Sequence, residues 1–350
     1  MDVASPTSAD VRGLVERALY AFLGERRRAL PDAEDLLTEL ERVARSGGKR
    51  LRPSFCIWGY RAGGGTDDGA IARAAASLEL LHTFAIIHDD VMDRSPLRRG
   101  SPATYRQLAD GSGRLRHGAD RFGVSAAILA GDLAMALAGE LWWTAGFDGS
   151  ALMDGATIYH AMRAEVIGGQ YLDLLAAARG DATPEETRRI SVLKSGRYTV
   201  ERPLLIGAAL AAAPAPVRDA LAAFGAPLGE AFQLRDDIIG AFGDPTITGK
   251  DADGDLREGK QTLLVALAKK AANPEQRATL DELLGTDDLS ADGAERLRTV
   301  LRDTGALDEV ADTIASLLTE ARAALDGGAI PLASAVALHA LADEVAPAGA

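Results

Sequence analysis

The chain has almost no cysteine. Cys56 stands alone among 350 residues, so no intrachain disulfide and no cysteine-based metal site can form, and a reducing cytoplasm is the expected compartment. Positive charge is also short, since 38 Lys and Arg against 51 Asp and Glu leave a formal net charge of −13. Nucleic acid as a main partner needs a basic footprint and is excluded on this ground, whereas a small phosphorylated ligand in a locally basic site is not. No uninterrupted apolar run reaches the ~18 residues of a bilayer span. The Ala-rich stretch Leu204–Ala213 is shorter still, so stable membrane insertion is not expected. Met1–Gly13 is acidic and polar where a signal peptide would be basic and then apolar. Clear period-two strands are missing, and β-branched runs are short.

What is present is helical periodicity. With 47% hydrophobic and 25% charged residues, the chain has ample material for a core. Val11, Leu14, Val15, Ala18, Leu19, Phe22 and Leu23 make an i, i+3, i+4 stripe, the mark of an amphipathic helix. Similar stripes cover Ile71–Met92, Ser125–Trp143, Ile158–Ala178, Thr187–Ala212, Val217–Phe242, Thr262–Ala272, Ala294–Arg302 and Leu307–Leu325. The fold class is all-α. Gly47-Gly48, Gly63–Gly65, Asp110–Gly118, Pro214–Pro216 and Gly243–Gly254 punctuate the helices. None is long enough to be an interdomain linker, so residues 1–350 are read as a single domain.

Two aspartate clusters interrupt the apolar pattern. Asp89-Asp90-Val91-Met92-Asp93 ends the helix from about Ile71. Asp89 and Asp93 lie four apart, on one face and about 6 Å from each other along the axis. Like charges there repel, and the negative end of the helix dipole disfavours both. A hard cation with oxygen ligands, such as Mg²⁺, removes both penalties. His82 lies seven residues upstream of Asp89, and Ser95-Pro96 and Arg98-Arg99 follow the cluster. Arginine suits bidentate phosphate contacts. The second cluster, Gln233, Asp236 and Asp237, forms an i, i+3, i+4 face among Phe232, Leu234, Ile238 and Ile239. Carboxylates in such a setting need a partner or a metal. Taken singly, a solvated helix end is the readier account of the first cluster, whereas an Asp236–arginine pair is only the lesser alternative for the second.

Cations accompany the acids. Gly47-Gly48-Lys49-Arg50-Leu51-Arg52-Pro53 is a glycine turn leading into basic residues, where the backbone can approach a phosphate closely. Lys194-Ser195, Lys250 and Lys260 complete the set. Alone, the GGKR segment reads more readily as an exposed turn than as a phosphate site.

Together these segments resemble the trans-isoprenyl diphosphate synthases, the polyprenyl synthetase family, and among them the bacterial geranylgeranyl-diphosphate-synthase-like members. The matching runs are GGKRLRP (47–53), LLHTFAIIHDDVMDRSPLRRG (80–100), AGDLA (130–134), GGQYLDL (168–174), KSGRYTVERPL (194–204) and GEAFQLRDDIIGAFGDPTITGKDADGDLREGKQTLL (229–264). They stand in the family's order over a core of about 47–264.

The resemblance implies an isoprenoid-synthase-type helical bundle around a central apolar cavity, usually a homodimer. It implies that Lys49, Arg52, His82 and Arg99 hold isopentenyl diphosphate. Asp89 and Asp93 would ligate two Mg²⁺ ions on the allylic diphosphate, and Asp236 a third from the facing helix. Arg98, Lys194, Ser195, Gln233, Lys250 and Lys260 would contact the diphosphate of the allylic substrate, which is dimethylallyl, geranyl or farnesyl diphosphate. The catalytic set is then Asp89, Asp93, Lys194 and Asp236. Asp90, Asp237, Gln170 and Asp173 match motif positions with less definite roles.

Two positions depart from the family pattern. Gly240 replaces the last aspartate of the second motif, leaving Asp255 as a candidate outer partner for the third metal, and Pro102-Ala103-Thr104-Tyr105 stands where many relatives carry His or Trp. Asp244, in Gly243-Asp244-Pro245, reads as part of a helix stop.

Phe84 and Ala85, five and four residues before Asp89 with no insertion in the motif, resemble the pattern of enzymes that stop at the C20 product, with farnesyl (C15) and C25 products as competitors. Phe84 reads equally as a core aromatic. Two further alternatives are a class I terpene cyclase, which binds one diphosphate and has no use for Lys49, Arg52, His82 and Arg99, and a non-catalytic subunit, for which Gly240 is the sole hint.

Overall fold

The computed structural model describes residues 8–111, 118–243 and 253–346. Among them the only sheet is one two-stranded hairpin, and α-helices supply nearly everything else. The chain divides into two compact units, Met1–Gly155 with Gly207–Ala213, and Ala156–Ile206 with Pro214–Ala350.

The first unit runs α1 (Ser8–Ala29), α2 (Glu34–Arg45), α3 (Leu51–Ala62), α4 (Asp68–Met92), β1 (Leu97–Arg98), β2 (Ser101–Pro102), α5 (Thr104–Gly111) and α6 (Ala119–Trp143). Asp67 starts α4 by accepting from the backbone N–H groups of Gly69 and Ala70, which satisfies two of the donors a helix start leaves open. The helix is rich in alanine, and Ala74, Ala75, Ala76, Leu80, Leu81 and Ile87 are fully buried. Opposite them α6 offers Ala126, Ala127, Ala130, Gly131 and Ala134, small residues that let the two helices pack closely along their length. Both α4 and α6 are long and apolar enough to cross a bilayer by length and composition alone. The apolar stretch of α4 is mostly buried within the protein, whereas Phe122, Ile128, Leu129 and Trp143 of α6 remain exposed.

The second unit contains the greater part of α7 (Gly149–Arg179), then α8 (Pro184–Ser191), a π-helical stretch (Val192–Glu201) and the start of α9 (Arg202–Leu210). It continues with α10 (Ala215–Phe242), α11 (Gly254–Arg257), α12 (Leu263–Ala271), α13 (Pro274–Leu283), α14 (Ala291–Asp303), α15 (Ala306–Leu325) and α16 (Leu332–Val345). Reciprocal capping boxes, Thr183 with Glu186 and Asn273 with Gln276, start α8 and α13. Leu234 and Ala241 of α10 share a core with Leu256 of α11, Leu263 and Leu264 of α12, Leu297 of α14 and Val310 of α15. That core fixes α11 against the end of α10, which bears on the second acidic cluster.

The expected single helix Thr187–Ala212 is instead α8, the π stretch and α9, and Ala212 lies beyond α9 with φ +49°. A π turn changes the winding without breaking the helical path, so side-chain periodicity alone does not reveal it.

Candidate active site

In the first unit the site begins at the end of α4. Asp93 is the C-cap of α4, with helical backbone angles and its N–H donating to the Asp89 carbonyl at 2.8 Å. The helical spacing therefore continues through Asp93, as the sequence predicts. The hairpin that follows turns at Arg99 (φ +52°) and Gly100 (φ +74°), between the paired Arg98 and Ser101. Two positive φ values in a two-residue loop match the twist of a hairpin. The turn returns Arg98 to α4, where its Nε donates to Asp90 at 2.7 Å and its Nη2 lies 3.4 Å from Asp89. Asp90 is buried, and burial pushes its carboxyl above the ordinary range, with Arg98 opposing the rise.

Arg99 donates to the Gly47 carbonyl. A Cβ at Gly48, whose φ is +124°, would lie 3.1 Å from Arg99 Nη2, so the glycine turn makes room for this guanidinium. Lys49, the next residue in sequence, is exposed. Arg50 takes a different course. Its side chain is buried on Glu79 at 2.7 Å and also reaches Glu16, Tyr20 and the Ala44 carbonyl. Arg52 lies in the first turn of α3. His82 is held well below its ordinary pKa, first by burial and then by Arg52, Arg99, Arg98 and Arg50 around it. Arg52, His82 and Arg99, grouped from sequence alone, thus share one positive environment in the fold.

Phe84 is buried and meets His88 edge to face, with ring centroids 4.8 Å apart. His88 fills the notch at Gly131, where a Cβ would lie 2.3 Å from its ring, and its Nε2 is 3.0 Å from the Ile128 carbonyl. This accounts physically for the glycine of the AGDLA run. Ala85 is partly exposed.

In the second unit three helical stretches meet through glycines. A Cβ at Gly169 of α7 would lie 2.5 Å from the backbone N of Lys194, and one at Gly229 of α10 would lie 2.4 Å from the Gly196 carbonyl oxygen. Such approaches admit no side chain. They bring GGQYLDL against the π stretch and the π stretch against α10. Across the first contact Lys194 Nζ donates to Asp173 Oδ2 at 2.6 Å. Ser195 is the next residue of the π stretch and is partly buried. On α10, Gln233 Nε2 donates to Asp237 Oδ1 at 2.7 Å. Burial above all pushes Asp237 up to about 8, with Asp236 and Asp255 adding to the rise and Gln233 opposing it. Asp236 is partly exposed.

Lys260 Nζ donates to Asp255 at 2.6 Å and lies 3.1 Å from Glu258. Lys250 and Asp244 lie outside the described residues. Sequence reasoning missed Arg298 of α14, which donates to the Ala241 carbonyl at 2.6 Å and to the Asp253 carboxylate. No motif marks it, because its partners are a main-chain oxygen and a residue 45 positions away. The pairing of Asp173 with Lys194 was likewise not legible, although both lie in recognised runs.

Both aspartate sets fit a hard divalent cation. Among the described residues no three His, Cys, Asp or Glu side chains close on one metal position. Mg²⁺ takes one or two protein carboxylates and completes its shell with water and substrate phosphate oxygens. Asp89 with Asp93, and Asp236 beside the glycine-lined space occupied by Asp255, are donor sets of that size.

The polyprenyl synthetase family model matches residues 34–301. A geranylfarnesyl diphosphate synthase from Aeropyrum pernix is 35% identical over 275 residues, which is 76% of this chain and 79% of that protein. A geranylgeranyl diphosphate synthase from Saccharolobus solfataricus is 32% identical over 260 residues, 73% of each. The crystal structure of a geranylgeranyl pyrophosphate synthase from Corynebacterium glutamicum, complexed with isoprenyl diphosphate and magnesium, superposes with a TM-score of 0.92 at 35% identity, covering 96% of this chain and 98% of that one. The family model spans most of the chain and the similar proteins are all-α prenyl diphosphate synthases, so the chain belongs to the polyprenyl synthetase family of prenyl-transferring enzymes.

Proposed function

We propose that this prenyltransferase joins isopentenyl diphosphate to an allylic diphosphate by Mg²⁺-dependent ionisation, condensation and elimination, and that it stops at geranylgeranyl diphosphate. The observation that carries the reading is the positive environment of His82, with Arg52, Arg98 and Arg99 around it, in the same unit as Asp89 and Asp93. An enzyme that binds one metal-held diphosphate needs the carboxylates. The additional cations have a purpose when a second diphosphate must be held without metal.

Asp89, Asp93 and Asp236 would ligate Mg²⁺, which when bound neutralises charge developing on the departing diphosphate. Lys194, held by Asp173, donates to that same leaving group together with Ser195, Gln233 and Lys260, and Lys250 is assigned with them. Arg98 is fixed by Asp90 and Asp89, so it contributes positive charge from a set position. Lys49, Arg52 and Arg99 hold isopentenyl diphosphate. His82, kept neutral by its surroundings, donates a hydrogen bond without adding to the repulsion among the arginines. Donors placed in advance stabilise the leaving charge without reorganising. Positioning of the isopentenyl double bond supplies the entropic part of the acceleration. The released diphosphate then removes the proton.

The C20 product rests on Phe84 followed by Ala85 ahead of Asp89. The two curated relatives described above carry names with different product lengths, so the residues carry this assignment. Homodimerisation is supported by the exposed apolar residues Phe122, Val124, Ile128 and Leu129 along α6, a patch of the kind that marks association.

The test is an assay with Mg²⁺, labelled isopentenyl diphosphate and dimethylallyl, geranyl or farnesyl diphosphate, read by product chromatography. The expected result is a C20 diphosphate formed only when both substrates are present. A cyclised hydrocarbon from the allylic substrate alone, or full activity in an Asp89→Ala/Asp236→Ala protein, overturns the reading.

A further inference from the structure

The run Pro102-Ala103-Thr104-Tyr105, where the chain departs from the family pattern, takes no part in the function proposed above. In the fold it leads from β2 into α5. Both neighbours of Thr104 are tied back to the segment that follows α4. Ala103 donates its N–H to the Pro96 carbonyl at 3.0 Å, and the Tyr105 hydroxyl donates to the Arg94 carbonyl at 3.0 Å. Thr104, between them, is 1% exposed, and its Oγ1 is buried with no hydrogen-bond partner among the described residues. A buried hydroxyl is costly unless something meets it. Thr104 lines a cavity of about 10 Å³ together with Arg42, Ser46, Asp90 and Arg98.

Two of the other lining residues also have polar atoms to spare. Arg98 Nε and Nη2 both donate to Asp90 Oδ1, the first at 2.7 Å. Among the described residues nothing donates to Oδ2, although the Asp90 side chain is only 2% exposed. Arg42 spends Nε and Nη2 on Glu39 and the Pro102 carbonyl, and its Nη1 makes no hydrogen bond among the described residues. A cavity needs roughly 10–15 Å³ to hold a water, which then makes about three hydrogen bonds. This one therefore has room for a single water, and a carboxylate oxygen, a hydroxyl and a guanidinium nitrogen are a fitting set of partners. We propose that one ordered water occupies the cavity, donating to Asp90 Oδ2 and bonding Thr104 Oγ1, and that Thr104 is thereby a positioning residue for Arg98. The bridge joins the start of α5 to the carboxylate that holds the Arg98 guanidinium, at little cost relative to a direct hydrogen bond. The positioning role rests on the part assigned to Arg98 at the allylic diphosphate.

The experiment has two arms. A crystal structure of the full chain is expected to show density for one water within about 3.2 Å of both Asp90 Oδ2 and Thr104 Oγ1. That density should be lost in Thr104→Val, which keeps the shape of the side chain and removes the hydroxyl. Steady-state kinetics, with isopentenyl diphosphate saturating and the allylic diphosphate varied, forms the second arm. Thr104→Val is expected to raise KM for the allylic substrate by about 2- to 10-fold, the net worth of a hydrogen bond. Thr104→Ser keeps the hydroxyl and should restore it. A packing role predicts the opposite order, because valine fills the space of threonine and serine does not. Thr104→Ala, compared with Thr104→Ser, replaces the valine variant if that one does not fold.

Wild-type density with no water at this position overturns the inference. So does a Thr104→Val protein that unfolds at a higher temperature than the wild type with its KM unchanged, since removing a hydroxyl that nothing meets is stabilising. Arg98→Ala separates this failure from that of the parent reading. If Arg98→Ala leaves KM for the allylic substrate unchanged, the part assigned to Arg98 falls, and the positioning role of Thr104 falls with it. If Arg98→Ala raises that KM while Thr104→Val does not, only the role of Thr104 falls.

Discussion

Lys194 donates to Asp173 at 2.6 Å, joining the π stretch to α7 across 21 residues of sequence. Both side chains are partly exposed, so the pair is open to a ligand and its value lies in fixing where the ammonium sits. Asp173→Ala is expected to lower kcat by roughly 10- to 100-fold, the worth of a hydrogen bond to a charged group, with a smaller change in KM for isopentenyl diphosphate. Asp173→Asn keeps an acceptor and should lose less. Steady-state kinetics with each substrate varied in turn checks this. Equal losses in both KM values with kcat intact would show that the pair does not serve the leaving group.

Two arginines of one motif should behave in opposite ways. Arg50 is buried on Glu79, whereas Arg52 lies beside His82. Arg50→Ala leaves Glu79 buried without its partner, a change that costs about 3–5 kcal/mol. It should lower the urea midpoint markedly. Arg52→Ala should leave that midpoint nearly unchanged and raise KM for isopentenyl diphosphate at least tenfold. The reverse pattern would exchange their roles.

This contrast marks the limit of what the sequence conveys. The long helices α4, α6, α7 and α10 were legible because their apolar stripes repeat over several turns. The aspartate clusters were legible because carboxylates at helical spacing are conspicuous among apolar neighbours. The helices α2, α5 and α13 were not picked out, although the comparably short α12 and α14 were, and the hairpin at Arg98–Ser101 has strands of only two residues. Within GGKRLRP nothing distinguishes a buried guanidinium from an available one, since burial depends on Glu79, 29 residues away. Asp173 with Lys194 and Arg298 with Asp253 were hidden for the same reason: only packing reveals a long-range partner.

Asp237 gives a pH signature. Burial pushes its carboxyl up to about 8 in the folded chain, against an unfolded value of about 3.9. Between these values the folded chain retains a proton that the unfolded chain has released. The contribution of Asp237 to stability is therefore greatest below the lower value and is lost progressively as pH rises through the upper one. Asp237→Asn lacks the titration. In metal-free buffer, the unfolding temperature of the wild type relative to Asp237→Asn should fall as pH rises from 5 to 8. Parallel curves for the two proteins would refute the assignment.

Phe84 can be assigned by separating product length from stability. It lies five residues before Asp89, about 7.5 Å along the helix axis, and its ring rests edge to face on His88. If the ring does no more than fill the core, Phe84→Ala should cost about 3–5 kcal/mol and leave the products unchanged. If the ring ends the growing chain, the same variant should make diphosphates longer than C20 whatever its loss of stability. A second change tests the smaller neighbour, which is partly exposed: Ala85→Phe should shift products toward C15. Chromatography of dephosphorylated products, beside thermal unfolding of the same preparations, reads both quantities. Longer products from Phe84→Ala together with shorter ones from Ala85→Phe assign the stop to this turn of α4. A destabilised Phe84→Ala protein that still makes C20 assigns Phe84 to packing on His88, and the determinant of length must then lie elsewhere in the chain.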